Sequence, residues 1–335
     1  MKYFISLLST LHVVAANIRL TALFTFHVAA ASPAAAGTLR LAAHIRLVAL
    51  FTFVSVAAWA QQGILKESLI VKSATLGKDV KYSIYLPADY DRSNRSYPVL
   101  YLLHGYTDDE TGWTQFGEAQ VIVDKVMNLG EAAPMIIVMP DGGVSWYINN
   151  YDNKVKYEDF FVKEFIPYID ATYHTRPTKR YRAIAGLSMG GYGTLIMATK
   201  HPDLFAAAAP LSAGVFTDDE IVQGSDEMWK GALGDLYGKK ELTGKNRLTA
   251  HYQQNSVLNI ISSAGDAAPL KTVRYYIDCG DKDFLIKGNM ALHAALIDKK
   301  IPHEFRVREG NHNWTYWRTA LPEVLKFVSA SFHQQ

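Results

Sequence analysis

Cysteine is almost missing. The 335-residue chain has one, Cys279, so no disulfide can close within it and its stability has to come from a core. No cysteine lies near the amino terminus, which excludes a lipid-attachment box there. Cys279 itself falls in the apolar run "VRYYIDCG", where a thiol reads as packing. Net charge is also scarce: 34 Lys and Arg stand against 32 Asp and Glu, a formal +2. That balance supplies no electrostatic pull toward nucleic acid or an anionic membrane surface. Beyond residue 61 there is no linker rich in Pro, Gly or Ser, so one domain is expected there. What is plentiful is apolar matter, 49% of the chain, with 6 Trp and 19 Tyr. That is enough to bury the core of one α/β domain of roughly 250–280 residues.

The amino terminus nearly repeats itself. "NIRLTALFTFHVAAA" (17–31) returns as "HIRLVALFTFVSVAA" (44–58). A single pair, offset by roughly 27 residues, is too isolated for a solenoid. Each copy has a basic flank, an apolar stretch of about ten to fifteen residues and small residues after it, the pattern of a secretory signal. Arg19 and Arg46 interrupt apolar runs that are already short for membrane spans. The second copy ends "AWAQQ", so Ala58 and Ala60 satisfy a small-x-small cleavage rule with Gln61 first in the mature chain. Residues 1–60 are therefore expected to be a leader, partly duplicated, and the protein to be secreted or periplasmic. No stable membrane partner is expected once the leader is cleaved.

Beyond Gln61, strand and helix patterns alternate. "SLIVKSATL" and "VKYSIYLP" alternate polar with apolar and flank a turn-like "GKD", which predicts an antiparallel hairpin. Six further runs follow: "PVLYLLHG", "MIIVMPDGG", "RYRAIAG", "FAAAAPLSAG", "VRYYIDCG" and "HEFRVREG". Runs without alternation belong to strands buried on both faces. Amphipathic segments such as "YEDFFVKEFIPYIDATY", "NMALHAALIDKK" and "LPEVLKFVSASF" separate several of them. The expected architecture is a mostly parallel eight-stranded sheet with helices on both faces. Ligands of such sheets bind at the carboxyl ends of the strands. Residues 217–271 break the rhythm; too long for a simple loop, they read as a polar, partly helical cap inserted over that edge.

Four glycines and a serine crowd "RYRAIAGLSMGGYG" (180–193). Gly186-x-Ser188-x-Gly190 follows a predicted strand and opens a predicted helix that runs to the His201–Pro202 break. In that setting the serine sits on a sharp turn, and a side chain two positions away on either side would strike a neighbouring element. At the start of a helix the Met189 N–H is free to bind a developing oxyanion. A serine needs a histidine base, and the base an orienting carboxylate, in the chain order serine, acid, histidine. Of the downstream histidines, His201 ends a helix before a proline, His293 lies mid-helix, His303 begins a strand and His333 is at the tail. His312, in "REGNHNWTYW", follows the last strand and is the expected base. The acid should follow the strand before it, where Asp281 and Asp283 share a loop and physical reasoning separates them poorly. "YLLHGYTDDETGW" follows the third strand and offers the Tyr106 N–H as a second oxyanion donor, with His104 as a structural residue.

These blocks, with "MPDGGVSWYINN" and "CGDKDFL", occur in an order that resembles the Putative esterase family. That family holds the feruloyl and acetyl-xylan esterases of carbohydrate esterase family 1 and has S-formylglutathione hydrolases and mycolyltransferases as relatives. The resemblance runs from about Lys66 to the end of the chain. It implies an α/β-hydrolase fold, and, through a G-x-x-D block on Gly280–Asp283, it selects Asp283 as the acid. The family's glycine pair before the histidine, and the acid or serine after it, are replaced here by Gly310-Asn311-His312-Asn313. By resemblance Trp146, in the "SWY" loop, and Trp314 are candidate substrate contacts. The family's simple members need no metal or other cofactor, and the run Asp108–Asp109–Glu110 reads as a solvated loop. The expected partner is an ester substrate derived from plant polysaccharide, with feruloyl or acetyl as the acyl group. An acyltransferase, or a non-catalytic carbohydrate-binding protein on the same fold, is the alternative.

Overall fold

A computed structural model describes residues 61–333; the expected leader, residues 1–60, lies outside them. The two alternating segments form the antiparallel pair β1 (Ile64–Ser73) and β2 (Lys78–Leu86). The six apolar runs form β3 (Val99–Leu103), β4 (Ile136–Pro140), β5 (Arg182–Leu187), β6 (Ala207–Leu211), β7 (Arg274–Gly280) and β8 (His303–Arg308). The sheet order is β1-β2-β4-β3-β5-β6-β7-β8. β2 joins β4 antiparallel, and β3 to β8 run parallel to one another. The open, mostly parallel, eight-stranded sheet expected from the sequence is the one observed.

Every residue of β3 to β6 is buried, and the two-residue period of a strand divides them between two cores. Val99, Tyr101 and Leu103 point into one, Leu100 and Leu102 into the other. The first core takes the helical stretch 157–172 together with α2 (Met189–Lys200), α3 (Val257–Ser263) and α4 (Ile286–Asp298). The second takes α1 (Ala119–Asn128) and α5 (Trp314–His333). α5 starts seven residues before the amphipathic run that announced it, close behind His312. Among the described residues no helix is long and apolar enough to cross a membrane.

The 217–271 segment is more helical than its polar composition suggests. It is a series of short helical pieces, four of which start at the capping side chains of Thr217, Ser225, Thr249 and Ser256. Its first part meets the carboxyl edge of the sheet: the Tyr106 hydroxyl donates to Gly231 O at 3.3 Å. Its second part contributes Val257 and Ile261 of α3 to the first core.

Candidate active site

β5 ends at Leu187, and α2 begins at Met189. Ser188 between them has φ 54° and ψ −115°, backbone that a non-glycine residue adopts only when its surroundings impose it. The surroundings do so through glycine. A Cβ at Gly186 would come within 2.5 Å of Gly190 O, one at Gly190 within 2.5 Å of His104 O, and one at Gly191 within 2.8 Å of Leu211 O. β3, β5, β6 and α2 thus approach one another too closely for any side chain, and the turn between them throws Ser188 out at the carboxyl edge.

His312 lies in the loop between β8 and α5, and its Nε2 is 2.9 Å from Ser188 Oγ. Its Nδ1 is 2.9 Å from Asp283 Oδ2 and 3.1 Å from Oδ1. Asp283, 2% exposed, follows β7 and also accepts the Leu285 N–H at 2.9 Å. Burial pushes the Asp283 carboxyl up, but the hydrogen bonds from His312 and Leu285 outweigh it and hold the group below the usual carboxylate range. An ionised carboxylate only accepts, so Nδ1 carries the imidazole proton and Nε2 offers its lone pair to the Ser188 hydroxyl. Asp281, which spacing alone did not separate from Asp283, is turned elsewhere: its Oδ1 accepts the Gly310 N–H at 2.9 Å and holds the His312 loop in place.

Gly105 sets the other side of the site. A Cβ there would meet Leu187 Cδ1 at 2.7 Å and Ser188 Cβ at 3.6 Å, so the loop after β3 runs directly past Ser188. Among the described residues neither the Tyr106 N–H nor the Met189 N–H has a hydrogen-bond acceptor. His104 is buried and holds loops together. It accepts the Gly142 N–H on Nε2 at 2.7 Å, its Nδ1–H donates to Gly105 O at 2.8 Å, and its carbonyl accepts the Tyr147 hydroxyl at 3.0 Å.

Trp146 and Tyr147 both hold positive φ, 52° and 60°, a strained conformation for bulky residues. The Trp146 ring is 7% exposed and packs against Tyr106, Tyr192 and Phe216 at 6.3, 5.5 and 6.1 Å between centroids. It lies over Gly214, where a Cβ would meet its Cζ3 at 2.7 Å and Ser188 O at 3.4 Å. Trp146 is therefore close to the serine. Trp314 sits in a cluster with Trp113, Phe116 and Trp317, at 5.3, 6.0 and 5.3 Å. Two residues that sequence reasoning missed do touch the histidine. Trp317 stands edge-on to the His312 ring at 4.9 Å and donates its Nε1–H to Ser212 Oγ at 3.1 Å. Phe284 lies on the ring at 4.6 Å. The only available signal was their nearness in sequence to Asp283 and His312.

A cavity of about 280 Å³ opens beyond Tyr106, walled by Tyr106, Val144, Tyr157, Lys230, Asp235 and Leu236 among others. Ser188 and His312 are not part of its lining, and Tyr106 joins the two places. Among the described residues no cluster of three or more His, Cys, Asp or Glu side chains could hold a metal ion. The acidic run after Tyr106 is only partly the solvated loop expected: Asp109 is exposed, but Glu110 is buried and accepts the Ser68 hydroxyl at 2.7 Å. Cys279 is buried, and burial pushes its thiol far up, away from any nucleophilic role.

A hydroxyl, an imidazole and an ionised carboxylate in line, with two free amides close by, can generate an alkoxide and hold an oxyanion. Comparison with known proteins points the same way. Residues 73–328 match the family model described as "Putative esterase". An endo-1,4-beta-xylanase/feruloyl esterase of Xylanibacter ruminicola is 35% identical over 156 residues, 44% of this chain and 22% of that protein. The chain thus spans about a fifth of that relative's length. A diacylglycerol acyltransferase/mycolyltransferase of Mycobacterium gordonae is 30% identical over 78% of this chain and 80% of its own. The solved structure of a ferulic acid esterase superposes with a TM-score of 0.69 at 32% identity, covering 81% of this chain and 99% of that one.

Proposed function

Because the chain belongs to the Putative esterase family, we propose that it is a serine carboxylic-ester hydrolase that works through an acyl-enzyme on Ser188. The observation that carries this reading is the 2.9 Å contact between Ser188 Oγ and His312 Nε2, with Asp283 behind it. Ser188 Oγ attacks the ester carbonyl while His312 Nε2 takes the hydroxyl proton. The carbonyl oxygen becomes an oxyanion, held by the Tyr106 and Met189 N–H groups. Asp283 fixes the tautomer and stabilises the imidazolium. The intermediate collapses when His312 gives its proton to the leaving alkoxide, which departs as the alcohol. Water then attacks the acyl-enzyme, again with His312 as base, and releases the acid and free Ser188.

The proposed substrates are feruloyl or acetyl esters of plant polysaccharide, acted on outside the cytoplasm after the leader 1–60 is removed. The feruloyl esterase named among the relatives supports the acyl group. The mycolyltransferase relative supports a second reading, in which an alcohol replaces water in the last step. The test is p-nitrophenyl acetate hydrolysis by the wild type and Ser188→Ala. Loss of about a thousandfold or more is expected, and equal rates would refute the reading. Product analysis with methyl ferulate, acetylated xylan and an added alcohol separates hydrolysis from transfer.

A further inference from the structure

If Ser188 attacks as proposed, the reading on which this inference rests, then the alcohol half of the ester leaves across His312. The acyl half stays on Ser188, and the proton must reach the leaving oxygen from Nε2. The exposed aromatic side chain beside His312 is Phe284. Its ring lies 4.6 Å from the imidazole, tilted by 53°, and at 70% it is the most exposed large hydrophobic residue among those described. The fold does not need it: its neighbours Asp283 and Leu285 are buried at 2% and 4% and carry the packing of the loop. The loop that carries His312 is polar. Asn311 and Asn313, one on each side of His312, are both exposed. Asn313 Oδ1 accepts the Tyr316 N–H at 3.1 Å, which leaves the amide NH₂ of Asn313 and the whole Asn311 side chain without protein partners among the described residues. These asparagines stand where the family resemblance expects a glycine and an acid or serine.

An exposed phenyl ring and unpartnered amide groups, both beside one histidine, suit a sugar ring. One face of a sugar presents C–H groups, which are drawn to the electron-rich face of a phenyl ring, and its rim presents hydroxyls for the amides. A methanol-sized alcohol would leave Phe284 uncovered. We propose that Phe284, with Asn311 and Asn313, seats the carbohydrate that forms the alcohol half of the proposed ester. Phe284 is then a specificity-determining residue for the leaving group, separate from whatever holds the acyl group.

Esters of one acid with two alcohols test this: methyl ferulate against feruloyl-arabinosyl xylobiose, with methyl acetate against acetyl-xylobiose in parallel. The wild type should favour the sugar ester in kcat/KM for at least one acid. Phe284→Ala should cut that preference about 3- to 10-fold, the worth of one aromatic contact. Phe284→Tyr, which keeps the ring face, should retain it, and Asn311→Ala should lower it. No preference in the wild type for either acid, or the same preference in Phe284→Ala, overturns the proposal. So does a loss of equal size on both alcohols, which is what a disturbed His312 would produce. p-Nitrophenyl acetate separates the two levels. If Ser188→Ala keeps its rate, the esterase reading itself falls. If Ser188→Ala is inactive and the alcohol preference does not respond to position 284, only the sugar seat falls.

Discussion

Asp283 and Asp281 are two residues apart in one loop, yet they do different work. Asp283 faces Nδ1 of His312, whereas Asp281 holds the Gly310 amide. Composition and spacing could not separate them, because the distinction arises from how the β7 and β8 loops meet. Asp283→Asn should lower kcat by about 10²- to 10⁴-fold with little change in KM, read by steady-state kinetics on p-nitrophenyl acetate. An amide can donate to Nδ1 and so favour the wrong tautomer. The aromatic neighbours of His312 were illegible for the same reason as the acid: Trp317 and Phe284 reach the ring from different elements.

The elements themselves were largely readable. Continuous apolar runs ending in Gly or Asp gave β3 to β7, since a strand buried on both faces has no polar side to display. The short helices of 217–271 were harder, because none is long enough to show a period; their signal was the hydroxyl caps, Thr217 with Glu220 forming a complete capping box. Two predictions belong at this scale. Gly190→Ala drives a methyl into the His104 and Leu103 carbonyl oxygens, 2.5 and 2.6 Å away. Backbone cannot easily yield, so a loss of about 3 kcal/mol is expected, measured by urea unfolding. Asp278, fully buried in β7, accepts from Tyr276 and Tyr316 and pairs with Arg308 of β8. Asp278→Ala strands both hydroxyls. Arg308, 35% exposed at its side chain, can turn to water, so the expected cost is about 2–3 kcal/mol rather than the larger toll of a wholly buried pair.

At the scale of the molecule, Glu158 joins distant parts of the chain. It pairs with Lys200 at 2.8 Å and His201 at 3.0 Å, at the end of α2, while Lys200 also donates to Asn255 at 2.6 Å. Burial raises the Glu158 carboxyl, but the hydrogen bond from His201 and the charge of Lys200 outweigh it, and the net shift is downward. A carboxyl whose folded value lies below its unfolded value contributes stability above about pH 4.3, which is lost as pH falls through the folded value. The Tm should therefore drop on acidification below that point, and Glu158→Gln should flatten the drop; thermal melts across pH 2.5 to 6 read both. If the leader 1–60 is removed as proposed, residues 61–335 expressed alone should melt as the processed protein does, and sequencing of the processed chain should begin at Gln61.

The described chain is fastened from its first residue. Asn128 of α1 donates to Gln61 O, Gln120 to Gly63 O, and the Gly63 N–H to Asp124, at 2.9, 2.9 and 2.8 Å. If the leader is cut after Ala60, the new end is already stitched to a helix and leaves no dangling tail. An aminopeptidase nibbling inward would have to peel three hydrogen bonds from α1 before reaching β1. Such an enzyme should keep a uniform front end in surroundings rich in proteases.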